Sequence, residues 1–181
     1  MTFTETSLKG AFVVELQLIT DERGWFTRSF CKREFEKIGH LKEFVQFNHS
    51  SNLKKGTLRG MHYQNAPFGE AKLIRCIKGS IMDVIVDIRM NSPTFLQYYT
   101  IELSSKNRRM LYIPQGFAHG FQTLANNTEL LYHHTEYYNI HADTGFVYND
   151  NRLDIKWNLP ITIISEKDKN LKKINNTFKG I

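Results

Sequence analysis

The feature that most limits what this chain can become is a train of short apolar runs punctuated by turn residues. From Lys72 onward, Lys72–Ile77, Ile81–Arg89, Tyr98–Leu103, Met110–Ile113, Phe121–Leu124 and Glu129–His134 follow at short intervals. Gly79, Asn91-Ser92-Pro93, Pro114-Gln115-Gly116 and Asn126-Asn127 separate them. Within Ile81–Arg89, Met82, Val84, Val86 and Ile88 point one way while Asp83 and Asp87 point the other, the two-residue period of a strand. Many short strands at such spacing predict a mostly-β sandwich or barrel, and a jelly roll is one common solution. The 13 Phe and 8 Tyr favour strands over helices. Near the start, Phe12, Val14, Leu16 and Leu18 alternate as in a half-buried strand over Phe12–Leu18, and Asp21–Gly24 reads as a turn. Helix is confined to short peripheral pieces. Cys31, Phe35 and Ile38 mark one face of such a helix, and Gly39 is placed to end it.

A chain of 181 residues, with no internal repeat and no linker, suits one domain over residues 1–181 and can bury a sizeable core. No apolar run is long enough to cross a membrane, so no membrane partner is expected. The N-terminus lacks the basic-then-apolar order of a signal peptide. Cys31 and Cys76 sit among apolar neighbours and read as reduced core residues of a cytoplasmic protein. The net charge of +6 is spread along the chain, with some crowding near Lys167–Lys173. Nucleic-acid binders carry a denser stripe, so no nucleic acid is expected. The charge suits either solubility or an anionic, phosphate-bearing substrate.

Three stretches hold unusual polar content beside glycine and apolar residues: Gly56–Gln64, Ile113–Phe121 and Leu130–Tyr138. Alternate residues of barrel strands face inward, so these stretches can converge on one cavity. His62 is a candidate general base or, more plainly, a core histidine bonded to a carbonyl. Lys72 opens a strand and is either solvated or an ammonium aimed at an oxyanion. Tyr132 shares a face with Leu130 and His134 and is either an amphipathic core residue or a proton donor. Asp168 reads as a loop acid. No metal is expected on this pattern. Metal-binding cupins present a His-x-His pair, whereas His62 is followed by Tyr63 and Gln64, although Glu70 and His119 are plausibly spaced. There is no nucleophile elbow, phosphate-cradling glycine loop or dinucleotide fingerprint.

Taken in order, Asp21-Glu-Arg-Gly24, Arg59-Gly-Met-His62-Tyr-Gln64, Lys72-Leu-Ile-Arg75, Asp83–Arg89, Ser92-Pro-Thr94, Ile113-Pro-Gln-Gly-Phe-Ala-His-Gly-Phe121 and Ser165-Glu-Lys-Asp168 resemble the dTDP-4-dehydrorhamnose 3,5-epimerase family along nearly the whole chain. The resemblance implies a cupin-type jelly roll acting as a homodimer without a cofactor on a nucleotide-diphosphate sugar. It implies His62 as base oriented by Asp168, Tyr132 as acid on the opposite face of the sugar, and Lys72 beside the enolate oxygen. Arg23 and Arg59 would hold the diphosphate, and His119 would line the sugar site. Gln46 and Asn48 match the nucleotide-contact stretch, Tyr138 an aromatic beside the base, and Phe26, Asp143 and Lys167 further substrate contacts. The chemistry is coherent: removing a proton beside a ketone needs a base, a stabilised enolate and an acid, and inversion needs removal and return on opposite faces.

The chain departs from the family pattern at three places. Arg28 stands where a Glu is usual, Asp143 where a Glu is common, and Tyr148-Asn-Asp-Asn151 replaces Trp-Asn-Asp-Pro. These leave two rival readings beside a C3 and C5 epimerase. One is a related single-centre epimerase or 3,4-ketoisomerase on another nucleotide sugar. The other is a non-catalytic homologue that only binds such a sugar.

Overall fold

A computed structural model describes all residues, 1–181. Thirteen strands are present: β1 (Thr2–Glu5), β2 (Phe12–Glu15), β3 (Ile19–Asp21), β4 (Gly24–Phe26), β5 (Gln46–Asn52), β6 (Leu58–Gln64), β7 (Lys72–Lys78), β8 (Ser80–Asp87), β9 (Tyr98–Ser104), β10 (Met110–Ile113), β11 (Phe117–Thr123), β12 (Thr128–His134) and β13 (Asp143–Gly145). Helix is limited to α1 (Lys32–Phe35), a 3-10 turn at Glu36–Ile38, and α2 (Glu166–Lys169). Gly39, at φ 83°, ends the 3-10 turn in the left-handed conformation that favours glycine.

Two antiparallel sheets face each other. One runs β1-β2-β10-β7-β12-β5 and the other β13-β6-β11-β8-β9. A separate hairpin pairs β3 with β4. Between the sheets, Ile74, Cys76, Leu111, Ile113 and Leu130 of the first meet Ile81, Ile85, Leu103, Phe117 and Phe121 of the second. Truncating one of these to Ala would cost ~2–5 kcal/mol.

Both sheets are also covered on their outer faces. Met82, Val84, Val86 and Ile88 pack beneath Phe146, Leu153, Ile155 and Ile174 of the C-terminal segment. Val14, Leu73, Met110 and Tyr112 pack against Phe35 and its neighbours. This double covering explains why Val13 and Val14 are buried side by side, where a half-exposed strand would alternate. The expected strand over Phe12–Leu18 stops at Glu15, and Leu18 is exposed. β11 starts at Phe117, four residues before the expected Phe121. Cys31 is a correction to the expected core pair. It sits half-buried at the start of α1, and only Cys76 is core. Burial pushes the Cys76 thiol up to about 11, so it stays protonated and inert.

Candidate active site

At one end the sandwich stays open, and polar side chains from both inner faces line a cavity of about 530 Å³. That volume falls within the usual range for a ligand site. β6 and β11 supply His62 and His119, which lie directly opposite each other in the ladder. β7, β12 and β5 supply Lys72, Tyr132, His134, Asn48 and Ser50 from the facing sheet. α2 and the segment before it close one side with Ser165, Lys167 and Asp168.

His62 and Asp168, 106 residues apart, meet at 2.8 Å between Nε2 and Oδ1. Asp168 is 3% exposed, and its other oxygen accepts the Gly60 N–H at 3.0 Å. Its own N–H donates to the Ser165 side chain, which caps α2. Burial works against the carboxylate's charge, but the hydrogen bonds from His62 and Gly60 outweigh it and hold its pKa below the ordinary value. The approach of Gly60 depends on its lacking a Cβ. It sits at φ +114°, and a Cβ would lie 2.6 Å from the Cα of Gly120 on β11. With Nε2 committed to Asp168, the remaining ring nitrogen of His62 is the one free to take a proton.

A second histidine–carboxylate pair lies alongside. His119 Nε2 meets Asp83 Oδ1 at 2.7 Å, with Asp83 fully buried. Across the cavity, Lys72 Nζ pairs with Glu70 at 3.1 Å, and the other Glu70 oxygen meets His134 Nδ1 at 2.7 Å. Burial raises the Glu70 pKa, but bonds to His134 and Lys72 overcome this and keep it below the ordinary carboxylate value. The far nitrogen of His134 takes the Asn48 amide at 3.3 Å, and the His134 ring stacks on that of Tyr132. Glu70 therefore serves as a two-armed brace. Gln64, where a metal-binding cupin would carry histidine, donates to the carbonyls of Phe68 and Tyr137 and accepts the Asn139 N–H. No group of three or more His, Cys, Asp or Glu side chains is arranged to hold a metal ion.

Tyr132 faces His62 from the opposite sheet, and its hydroxyl lies 3.2 Å from Ser50 Oγ. Burial pushes the phenol above its ordinary range, and the Ser50 contact pulls against that. Arg59 reaches the cavity with its Nε donated to Asn52. At the rim, Asp143 joins Tyr138 at 3.0 Å and Lys167 through a short ion pair. Gln46 bonds both Asn48 and the Tyr138 N–H.

Of the thirteen expected site residues, His62, Lys72, Asp168, Tyr132, Asn48, Arg59, His119 and Lys167 line the cavity. Gln46, Tyr138 and Asp143 form a connected rim beside it. Arg23 and Phe26 do not reach it within one chain. They lie on the β3–β4 hairpin, where Arg23 is ion-paired to Asp21 and Phe26 is 70% exposed. Arg28 also lies outside the cavity, paired with Glu34 at 2.9 Å. The altered stretch at Tyr148–Asn151 is structural at its centre, since buried Asp150 accepts the N–H groups of Arg152 and Ile174. Sequence reasoning missed Ser50, Asn52 and the pairing roles of Glu70, Asp83 and His134. The available signals were Asp83 in an otherwise apolar strand and His134 on the face of Tyr132.

A jelly roll whose mouth holds a buried histidine–aspartate pair and a tyrosine on the facing sheet, among lysine and arginine, has the parts for acid–base chemistry on an anionic substrate. The comparisons with known proteins identify the family. Residues 5–176 match the family model described as dTDP-4-dehydrorhamnose 3,5-epimerase. The dTDP-4-dehydrorhamnose 3,5-epimerase of Shigella flexneri is 40% identical over 174 residues, 96% of each chain. The crystal structure of the Bacillus anthracis str. Ames dTDP-4-dehydrorhamnose 3,5-epimerase, with TDP and PPi bound, superposes with a TM-score of 0.92 at 42% identity, covering 96% of this chain and 99% of that one. The Legionella pneumophila Philadelphia 1 dTDP-6-deoxy-D-glucose-3,5-epimerase, in complex with dTDP-4-keto-L-rhamnose, does so at 0.90 and 37% identity, covering 95% and 92%. The chain belongs to the dTDP-4-dehydrorhamnose 3,5-epimerase family.

Proposed function

We propose that this epimerase inverts C3 and C5 of a dTDP-linked 4-keto-6-deoxy hexose by stepwise proton transfer, with His62 as base and Tyr132 as acid. The observation that carries the assignment is the buried Asp168 behind His62, with Tyr132 on the facing sheet. His62 takes the proton beside the ketone, and the electron pair moves onto the carbonyl oxygen. Lys72, held by Glu70, and His119, held by Asp83, are the cations and donors available to that oxygen. Tyr132 returns a proton from the other face. Arg59 and Lys167 bind the diphosphate side of the substrate.

Arg23 and Phe26 enter this reading through a second copy of the chain. The β3–β4 hairpin projects Ile19, Trp25 and Phe26 at 65%, 48% and 70% exposure. Such an apolar projection suits a homodimer in which the hairpin completes the neighbouring cavity. Two free thiols suit a reducing compartment and support a cytoplasmic location.

The test is solvent deuterium entering the sugar, followed by NMR. His62→Ala should stop both exchange and inversion. Tyr132→Phe should leave exchange and lower inversion by ~10²–10⁴-fold. Near-normal exchange by a folded His62→Ala variant would overturn the base assignment, with His119 next in line. A monomeric mass by sedimentation would remove the dimer.

A further inference from the structure

One chain of polar contacts links the two sheets, and its middle members, Asn52 and Ser50, have no part in the roles assigned so far. It runs from Arg59 through Asn52 and Ser50 to Tyr132. Arg59 Nε donates to Asn52 Oδ1 at 2.8 Å. The Asn52 amide nitrogen donates to the Thr128 carbonyl at 3.2 Å and points to Ser50 Oγ at 3.5 Å. Ser50 Oγ lies 3.2 Å from the Tyr132 hydroxyl.

Chemistry fixes the direction of the links made by Asn52. A guanidinium only donates, so the Asn52 atom facing Arg59 is its oxygen. The Thr128 carbonyl only accepts, so the atom facing it is the Asn52 nitrogen, and the two constraints agree. Asn52 is 2% exposed, which leaves its amide no solvent alternative. Its second N–H is directed at Ser50 Oγ. Ser50 thus receives a hydrogen from one side and has its own left for Tyr132. With Ser50 as the donor of that bond, the Tyr132 oxygen accepts and its proton is free to point into the cavity.

We propose that Ser50, oriented by Asn52 and Arg59, is a positioning residue that aims the Tyr132 proton at the sugar and stabilises the phenolate left behind. The proposal rests on the reading of Tyr132 as the acid. In the step concerned, the Tyr132 O–H bond breaks and a C–H bond forms at the enolate carbon. The electron pair of the O–H bond stays on the phenolic oxygen, and the enolate pair forms the new bond while the ketone is restored. At that moment the phenolate sits in a buried setting, where a donor aligned in advance counts most. Arg59 supplies positive charge at the far end of the same chain. Loss of one hydrogen bond to a charged group corresponds to ~10–100-fold in rate.

The experiment compares Ser50→Ala, Ser50→Thr, Tyr132→Phe and the double variant Ser50→Ala/Tyr132→Phe, reading deuterium exchange and inversion in parallel. Ser50→Ala should lower inversion by ~10–100-fold while exchange through His62 stays near wild type. Ser50→Thr, which keeps the hydroxyl, should recover most of the inversion. In the Tyr132→Phe background, Ser50→Ala should change nothing further, because its only route of action is gone. Equal loss of exchange and inversion in Ser50→Ala would mean a general structural role and overturn the proposal. So would full inversion in Ser50→Ala while Tyr132→Phe remains impaired. If Tyr132→Phe itself inverts normally, the acid assignment fails instead, and the two failures are told apart.

Discussion

Replacing Asp168 by asparagine tests the centre of the proposed mechanism, because the carboxylate answers two donors at once. One oxygen faces His62 Nε2 at 2.8 Å and the other the Gly60 N–H at 3.0 Å. An asparagine has one acceptor oxygen, and at 3% exposure water offers no substitute. If its oxygen serves Gly60, its amide faces His62 Nε2, which must then accept. The histidine proton moves to Nδ1, and the nitrogen needed for proton abstraction is blocked. If its oxygen serves His62, the amide opposes the Gly60 N–H, and a buried donor is stranded at ~1–3 kcal/mol. In both cases the negative charge that stabilises the imidazolium is lost. Asp168→Asn should therefore lower both exchange and inversion by ~10²–10⁴-fold, the range for a general base. The upper end matches the ~10⁴-fold loss when the aspartate behind a serine-protease histidine is made neutral. Deuterium incorporation into a 4-keto-6-deoxy sugar nucleotide, with thermal unfolding run in parallel, gives the answer. A folded variant exchanging within about tenfold of wild type would refute the reasoning.

Three further outcomes follow from the same geometry. Glu70→Gln removes the charge shared by Lys72 and His134, and should lower kcat by ~10-fold or more with little change in KM; steady-state kinetics showing a KM effect alone would contradict this. Asp87 is fully buried, and although burial opposes its charge, hydrogen bonds from Arg89, Ser92 and Thr94 pull its pKa from 3.8 down to about 2. Its contribution of ~2 kcal/mol is therefore present above the unfolded value and lost as pH falls toward the folded one, and urea midpoints measured down that range should show a step that Asp87→Asn lacks. Gly60→Ala meets both a left-handed φ of +114° and the Gly120 Cα at 2.6 Å, and should lower the unfolding temperature by several degrees, read by circular dichroism.

The strand that sequence periodicity revealed most clearly is buried on both faces, and polar residues mark one of them. Ile81–Arg89 showed its faces because Met82, Val84, Val86 and Ile88 form an unbroken apolar row under the C-terminal segment, while Asp83 and Asp87 interrupt the row of Ile81 and Ile85 that faces the other sheet. β5 went unseen, and the reason is the site itself. Its Asn48 and Ser50 face the cavity, Asn52 binds Arg59, and Phe47 on the outer face is 68% exposed. No apolar alternation can arise in a strand whose inner face is a polar pocket. The pairing of His62 with Asp168 was equally silent in local pattern, because 106 residues separate them, and only the family resemblance suggested it. The Glu70 brace was hidden for a related reason. A lone acid before a strand has many readings until the strand's neighbours, here Lys72 and His134, are fixed by the β7–β12 register.

The two histidine–carboxylate pairs at the mouth are alike in composition but not interchangeable. His62 keeps 30% of its side chain open, whereas His119 keeps 6%. A base must reach the carbon it deprotonates and must move a proton away afterward, and both favour the more open ring. Asp168 is also tied to the Gly60 N–H and to the cap of α2, so the ring it holds is fixed to the backbone of β6 itself. His119 is pinned deeper, beside Tyr132 at 6.4 Å between ring centres and opposite Lys72's sheet. That position suits a fixed donor to an oxygen, which need not exchange its proton during turnover. On the proposed mechanism the same pair of residue types serves two roles, and depth in the barrel divides the labour.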